Sequence, residues 1–501
     1  MMEKESLLKA ALRDLRLVGV VGSPSSTSSA PLILLEGMEK DLREEEAVAI
    51  DNFNGSPILA VCRSGTGINE NLKVGFYSPG VAYARTLGKT PSRAKESYHF
   101  TLSFIGVVEK NSIKPNDTMV APGSPVYTFK GSKYNPLDYL QPKSCVKGGF
   151  LASNEDWEVP FDASFIPYHI FIVGATGSGK SFLARHLVIP LLRKAGYGVL
   201  VLDWVGKDYA PFFQKEKIPV SEIKLDAGSV VRYILDRTNN FGYSKEEHTI
   251  SKTLETVLLE DVWEKIRGKY SSDPDGLVKE IKTLVENGIK GAKKESELKD
   301  HEKTALNRLK YLEKLTREDV KVILGSKDVG ELKPPAGELR VIDMHGANDV
   351  IKLTFFLTLA NRLMSLIQKG EDLNLALIVD EAPQYCPHEP EGVQARTTES
   401  IKNLCALGRK HKLCMVLISQ GMAGEIGINA AVRRNLNTWF IGQIHPLDFE
   451  EASKRLSPYG IKPERLLTLN PGMFYFTGKM NPSPTPLLIS FKAEDGEGGE
   501  E

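Results

Sequence analysis

At 501 residues the chain is long enough for two or three domains, each burying a core of its own. Lys plus Arg and Asp plus Glu number 64 each, so no global positive field argues for nucleic acid, and any such contact has to come from local patches. Five cysteines, Cys62, Cys145, Cys386, Cys405 and Cys414, lack CxxC spacing, which argues against a metal cluster and for reduced, mostly buried thiols.

The most apolar runs are of strand length, well short of the ~20 residues needed to cross a bilayer. The charged start, Met1-Met-Glu-Lys-Glu, has no secretory apolar core. A soluble, cytoplasmic protein with no membrane partner is expected.

A short amphipathic helix near residues 6–15 is followed by brief β-like runs at 17–21, 32–35, 47–50, 58–62, 100–107 and 126–129, separated by Gly-Ser-Pro, Asn-Gly-Ser-Pro and Pro-Gly-Ser-Pro turns. Residues 1–145 therefore read as a small β-barrel or sandwich domain without catalytic residues. Its basic stretch, residues 89–95, reads as a solvated loop. Residues 141–165 look like a linker into an α/β core whose first part is residues 146–240.

That core opens on His169-Ile-Phe-Ile-Val, an apolar strand that breaks into Gly174-Ala175-Thr176-Gly177-Ser178-Gly179-Lys180-Ser181-Phe182. The spacing fits a P-loop, in which glycines let backbone N–H groups converge on phosphate oxygens at a helix N-terminus. Lys180 would neutralise β/γ-phosphate charge and Ser181 would ligate Mg²⁺, so ATP and Mg²⁺ are the expected cofactors. Pro190 is expected to end or kink the following helix. A buried strand at 198–206 carries Asp203 to its C-terminal edge, where ligand contacts and loop caps are both found.

Residues 241–330 change character, with Lys- and Glu-rich helical runs broken at 271–275 and 288–291, and read as an inserted helical bundle. The α/β pattern resumes over 331–491: strands at 337–343, Leu375–Val379, Leu413–Ser419 and 439–441, a helix at 350–369, and a terminal hairpin at 472–476 and 487–491. The acidic tail, 492–501, should be disordered.

A P-loop alone could serve a kinase, a GTPase or a motor. The second motif narrows this: the apolar strand Leu375–Val379 ends in Asp380-Glu381, which fits a carboxylate pair with Asp380 on Mg²⁺ and Glu381 on the attacking water. Gln420, ending another strand, can sense a γ-phosphate because its amide both donates and accepts. Arg409 is the first choice and Arg434 the second for the guanidinium that stabilises the transferred phosphoryl, and each could instead form a structural ion pair. The loops after Glu381, containing Arg396, and after Gln420, reaching Arg433 and Arg434, are candidates to contact a polyanion.

Together these pieces resemble the HerA/FtsK branch of RecA-like translocases, and the HerA family most closely. The resemblance rests on the β-rich start, Gly174 to Ser181, Asp203-Trp-Val-Gly-Lys-Asp-Tyr209, the helical insertion, Asp380-Glu-Ala382, Gly408-Arg-Lys410 and Leu417-Ile-Ser-Gln420. It implies a RecA-like P-loop ATPase core, a homo-hexameric ring, movement of double-stranded DNA, and a NurA-like nuclease partner in DNA-end resection. A secretion or conjugation motor, or a nucleotide-switched platform for a nuclease, are the alternative implications. Three departures stand out. The family's Asp-x-x-Gly-Glu-Tyr becomes Asp203-Trp-Val-Gly-Lys-Asp-Tyr209, moving the carboxylate to Asp208; Glu-Glu-Ala-His becomes Asp380-Glu-Ala-Pro383; and Ser-Gln-Arg-Pro becomes Ser419-Gln-Gly-Met422.

Overall fold

The computed structural model describes residues 7–73, 79–88, 96–109, 112–238 and 244–492. The basic stretch 89–95 and the acidic tail from 493 onward lie outside the described residues.

The first part is built from β1 (Arg16–Val21), β2 (Ser29–Leu34), β3 (Ala47–Ile50), β4 (Ile58–Asn69), β5 (Glu96–Glu109), β6 (Ser112–Lys114) and β7 (Pro125–Thr128). They pair antiparallel in the order β2-β1-β7-β3-β4-β5-β6, and β2 also pairs with β5. Six strands thus close on themselves, with β6 outside the ring. Alternation decides what each strand face meets. Val48, Ile50, Ile58, Ala60 and Cys62 fill the ring's own core. Ala47, Ala49, Leu59 and Val61 point the other way into a cluster shared with the large sheet.

Residues 141–165 are not a linker. β8 (Cys145–Leu151) and β9 (Asn154–Asp162) form a hairpin that extends the large sheet. Gly149, at φ +56°, and the register shifts on either side of Phe150 interrupt the alternation that would have marked β8 in the sequence.

The large sheet has eleven strands, ordered β12-β13-β11-β14-β15-β10-β16-β17-β18-β8-β9. These are β10 (Ile170–Val173), β11 (Gly198–Asp203), β12 (Lys217–Pro219), β13 (Leu339–Asp343), β14 (Leu375–Val379), β15 (Leu413–Ser419), β16 (Thr438–Ile441), β17 (Phe474–Gly478) and β18 (Leu487–Ser490). From β12 to β16 the pairing is parallel; from β16 to β9 it is antiparallel. Parallel strands need cover on both faces, which is why these read as unbroken apolar runs. Phe171 and Val173 of β10 face one cluster, with Leu353, Phe355 and Leu404 of covering helices; Ile170 and Ile172 face the other, with Leu183, Leu187 and Leu191 after the P-loop.

Pro190 does not end that helix. The chain runs Lys180–Leu183 as α-helix, Ala184–Val188 as a π-helical turn and Ile189–Lys194 as α-helix again. Because Ile189 N–H bonds back to Ala184, the wider turn takes up the register where proline supplies no donor. The insertion also differs from a free-standing bundle: Leu254, Trp263, Ile281 and Leu309 belong to the same cluster as the sheet, and Trp263 Nε1 donates to the Leu225 carbonyl at 3.2 Å. The helical run ahead of the expected break at 271–275 is itself split into Lys245–Val257 and Glu260–Tyr270. One helix, Asp349–Gln368, is long and apolar enough to cross a membrane, contrary to the strand-length limit read from sequence, and 67% of its apolar window is buried inside the protein.

The ring is fastened to the large sheet by Arg63, which is 1% exposed. Its guanidinium donates to the Tyr459 carbonyl at 3.0 Å and to the Pro486 carbonyl, and pairs with Glu45 at 3.5 Å. Tyr475 of β17 donates to the same carboxylate at 2.9 Å. Arg63→Ala would leave Glu45 buried beside one hydroxyl, and is expected to cost about 3–5 kcal/mol. Denaturant unfolding should show this, with Arg63→Ala plus Glu45→Gln regaining a measurable part of the loss; no regain would mean the carboxylate's charge is not what the arginine neutralises.

Candidate functional site

The P-loop leaves the C-terminal end of β10 between two parallel neighbours, and each neighbour holds it. Gly174 N–H donates to the Ser419 carbonyl at the end of β15 (3.3 Å), and Ala175 N–H to the Gln443 carbonyl just beyond β16 (2.6 Å). A Cβ on Gly174 would lie 2.6 Å from Ser178 Oγ and 3.0 Å from Gln443 O. Glycine is needed there for space. At Gly177 (φ +79°) and Gly179 (φ +91°) it is needed for conformation. A Cβ on Gly179 would also come within 3.1 Å of the Gly472 nitrogen, whose N–H donates to the Ser178 carbonyl at 3.0 Å. Ser178 Oγ is buried without a hydrogen-bond partner among the described residues.

Lys180, in the first helical turn, donates from Nζ to the Ala175 carbonyl at 3.0 Å. Burial lowers its pKa, while Glu381, Asp380 and Asp208 pull it back up. Phe182 is 40% exposed, and the Arg185 guanidinium lies between Phe182 (4.5 Å) and Phe212 (3.5 Å).

Opposite the loop, β14 delivers Asp380, which is 4% exposed. Burial, then Asp208, Glu381 and Asp203, push its carboxyl far above the usual range. Carboxylate oxygens of Asp203, Asp208 and Asp380 all lie within 4.8 Å of one another. Asp203 is committed to its loop: it accepts the N–H groups of Gly206, Tyr209 and Ala210, each at 2.9 Å. Asp208 is the partly exposed member of the three. These carboxylates are oxygen donors with excess negative charge, which suits a hard divalent cation. Ser181 and Asp380 could hold Mg²⁺ there.

Glu381 follows at φ +48°, a left-handed conformation sparsely populated outside glycine and asparagine. Its Oε1 accepts from Gln420 Nε2 at 2.9 Å, and Gln420 Oε1 accepts from Thr176 Oγ1 at 3.1 Å. One amide at the end of β15 thereby joins the P-loop to the carboxylate at the end of β14.

The two arginines are placed elsewhere. Arg409 lies 4.8 Å from the ring centroid of Tyr168, beside the N-terminal end of β10, and Arg434 is exposed on the turn leading into β16. Neither joins the P-loop of its own chain. The polyanion candidates shift as well. Arg396 sits on the helix Gly392–Gly408 rather than in a loop, because the chain after Pro383 turns helical at Gly392. Arg433 donates to the Met422 carbonyl and approaches Glu451 at 4.0 Å, which gives it a structural ion-pair role.

Sequence reading missed Gln443 and Gly472, which act through backbone atoms and leave no side-chain signal. Asp208 had a signal, a carboxylate one position off the expected spacing.

Residues 146–363 match the family model described as the central domain of helicase HerA. Among solved structures the chain is similar to VirB4 of Thermoanaerobacter pseudethanolicus, with 16% identity over 71% of this chain and 98% of that one and a TM-score of 0.50. It is also similar to the plasmid coupling protein TrwB in complex with the non-hydrolysable GTP analogue GDPNP, with 16% identity, coverage of 69% and 89%, and a TM-score of 0.46. A third is the genome packaging NTPase B204 of Sulfolobus turreted icosahedral virus 2 in complex with AMPPCP, with 14% identity, coverage of 65% and 98%, and a TM-score of 0.32. No curated protein matches. At such identities the structural likeness is one of fold.

The electrostatics make a prediction about pH. A cation at Asp380 must displace the proton that burial and three neighbouring carboxylates retain, so Mg²⁺ affinity should strengthen as pH rises and binding should release protons. Calorimetry of Mg²⁺-nucleotide binding in buffers of different ionisation enthalpy reads both; binding with no proton release would contradict a role for this carboxyl.

Proposed function

Since the chain is a P-loop ATPase of the HerA/FtsK type, carrying a HerA central domain on a RecA-like α/β fold, we propose that it hydrolyses ATP and uses the cycle to move along double-stranded DNA as a homo-hexameric ring, with a NurA-like nuclease as partner. The observation that carries the reading is the bridge Thr176–Gln420–Glu381, since it ties nucleotide-binding loop, sensor strand and carboxylate into one hydrogen-bonded unit.

In this reading the loop's N–H groups beyond Ala175, whose own N–H and that of Gly174 are held by sheet carbonyls, and the Lys180 ammonium bind the β- and γ-phosphates. Ser181 and Asp380 would hold Mg²⁺, which would supply positive charge against the phosphates. Glu381 orients the attacking water and accepts its proton. Gln420 reports on the γ-phosphate: a phosphate oxygen competes for its amide N–H, which otherwise goes to Glu381, so presence of the γ-phosphate frees the carboxylate for water. Phe182 offers its exposed ring to the base. Arg409, with Arg434 as the weaker candidate, acts on the nucleotide of a neighbouring subunit.

DNA would be contacted through its phosphates, independent of base sequence, which a chain of zero net charge can do only from local surfaces. The ring is supported by a site whose arginine candidates both lie away from it.

Lys180→Ala should abolish turnover by loss of nucleotide binding. Glu381→Gln should bind ATP with near-normal affinity while turnover falls about 100-fold or more. Wild-type turnover should rise with linear duplex, and the protein should displace the third strand of a triplex. Normal turnover in Glu381→Gln removes that carboxylate from the chemistry; turnover indifferent to duplex, with no strand displaced, removes the motor.

A further inference from the structure

We infer that Lys479 is a second trans-acting cation, paired with Arg409 across the ring of Tyr168, and that together they receive the triphosphate bound on the P-loop of an adjoining copy. The inference rests on the ring-shaped ATPase proposed above and adds a residue to its chemistry.

The observation is a cation–aromatic–cation arrangement at one edge of the large sheet. Arg409 lies 4.8 Å and Lys479 Nζ 4.3 Å from the centroid of Tyr168, and Phe165 packs edge-on against the same ring at 5.4 Å. Lys479 also sits 5.6 Å from Phe165. Both cations are exposed, and among the described residues neither pairs with a carboxylate. Two like charges held on one phenol ring repel each other, and an exposed cation–π contact returns only about 0.5–1 kcal/mol. The cluster is therefore arranged for an anion rather than for its own stability.

Its fixing points are rigid. Tyr168 immediately precedes His169, whose Nδ1 accepts from Met415 N–H (3.1 Å) and whose Nε2 meets the Cys405 carbonyl (2.8 Å). Lys479 is fixed from the opposite side, its backbone N–H bonding to the Asn437 carbonyl at 3.0 Å just beyond β17. Cys405 and Arg409 lie at the end of the helix that begins after the Asp380-Glu381 loop.

The anion's identity follows from the other end of β10. Gly174 lies six positions beyond Tyr168, about 20 Å of extended chain. At that far end Asp208, Asp380 and Glu381 face Lys180, and a triphosphate would add further negative charge. Each copy thus presents a carboxylate-rich phosphate site at one end of the strand and unneutralised cations at the other. Such ends are complementary head to tail, which is the arrangement that generates rings. A primary ammonium beside a planar guanidinium suits the equatorial oxygens of a transferring phosphoryl, where charge spreads over several acceptors.

The test is subunit mixing with the full chain. Lys479→Ala should lower turnover about 10-fold or more at saturating ATP, with ATP affinity in a filter-binding assay little changed, and Lys479→Arg should keep most of the activity. Lys180→Ala subunits have no turnover of their own but carry an intact Lys479. Mixed with Lys479→Ala subunits they should raise turnover above that of either variant alone, because a working P-loop then gains a neighbour's lysine. A loss of turnover that mixing fails to restore overturns the trans role. Wild-type turnover in Lys479→Ala overturns it too, and if duplex binding is weakened as well the cluster is reassigned to DNA. If the wild-type chain has no turnover at all, both this inference and the ATPase reading fall.

Discussion

The position of β10 is the constraint from which the site follows. It is four residues long, buried on both faces, and flanked by β15 and β16 in parallel register. Carbonyls at the ends of both neighbours accept N–H groups from the first two residues of the P-loop, so the loop's shape is set by sheet pairing before any ligand arrives. The same register brings Ser419, and hence Gln420, level with Val173. β14 lies one strand further out, and its end places Asp380 and Glu381 within reach of that glutamine. A parallel sheet therefore does the assembling: residues from 174, 380 and 420 converge because three strands stop at the same edge.

That convergence concentrates charge around a buried carboxylate. Asp380 is buried among other carboxylates, a state tolerated when the group is neutral or when a cation replaces its proton. Asp203 escapes the conflict by accepting three backbone N–H groups, which turns a buried carboxylate into a loop fastener. Two aspartates of the same strand-end type thus differ in the number of backbone donors each is given.

The parts legible in the sequence were the contiguous ones. A P-loop, an apolar strand ending in Asp380-Glu381 and a glutamine ending Leu413–Ser419 each carry their signal within a dozen residues, and their strand context is readable from composition. What was not legible depends on residues distant in sequence. Nothing local distinguishes Gly472, whose N–H meets Ser178, from any turn glycine. β8 was hidden by a bulge at Gly149 that breaks the alternation, and Pro190 misled because a π-turn four residues earlier absorbs its missing donor. The left-handed backbone at Glu381 likewise has no sequence mark, since glutamate is a residue that avoids it.

The fastening of the ring to the sheet gives the architecture a mechanical reading. Arg63 and Glu45 are both buried at their contact, and Tyr475, the residue that anchors Glu45, pairs in β17 with Ile441 of β16. β16 in turn pairs with the P-loop strand, and its continuation supplies the Gln443 carbonyl that holds Ala175. From the strand ring to the phosphate loop there are consequently only hydrogen-bonded strands and one buried ion pair. Displacement at the P-loop cannot be absorbed in a flexible joint along this route, since close-packed elements transmit strain rather than dissipate it. The closed strand ring and the phosphate loop are thus linked through paired strands.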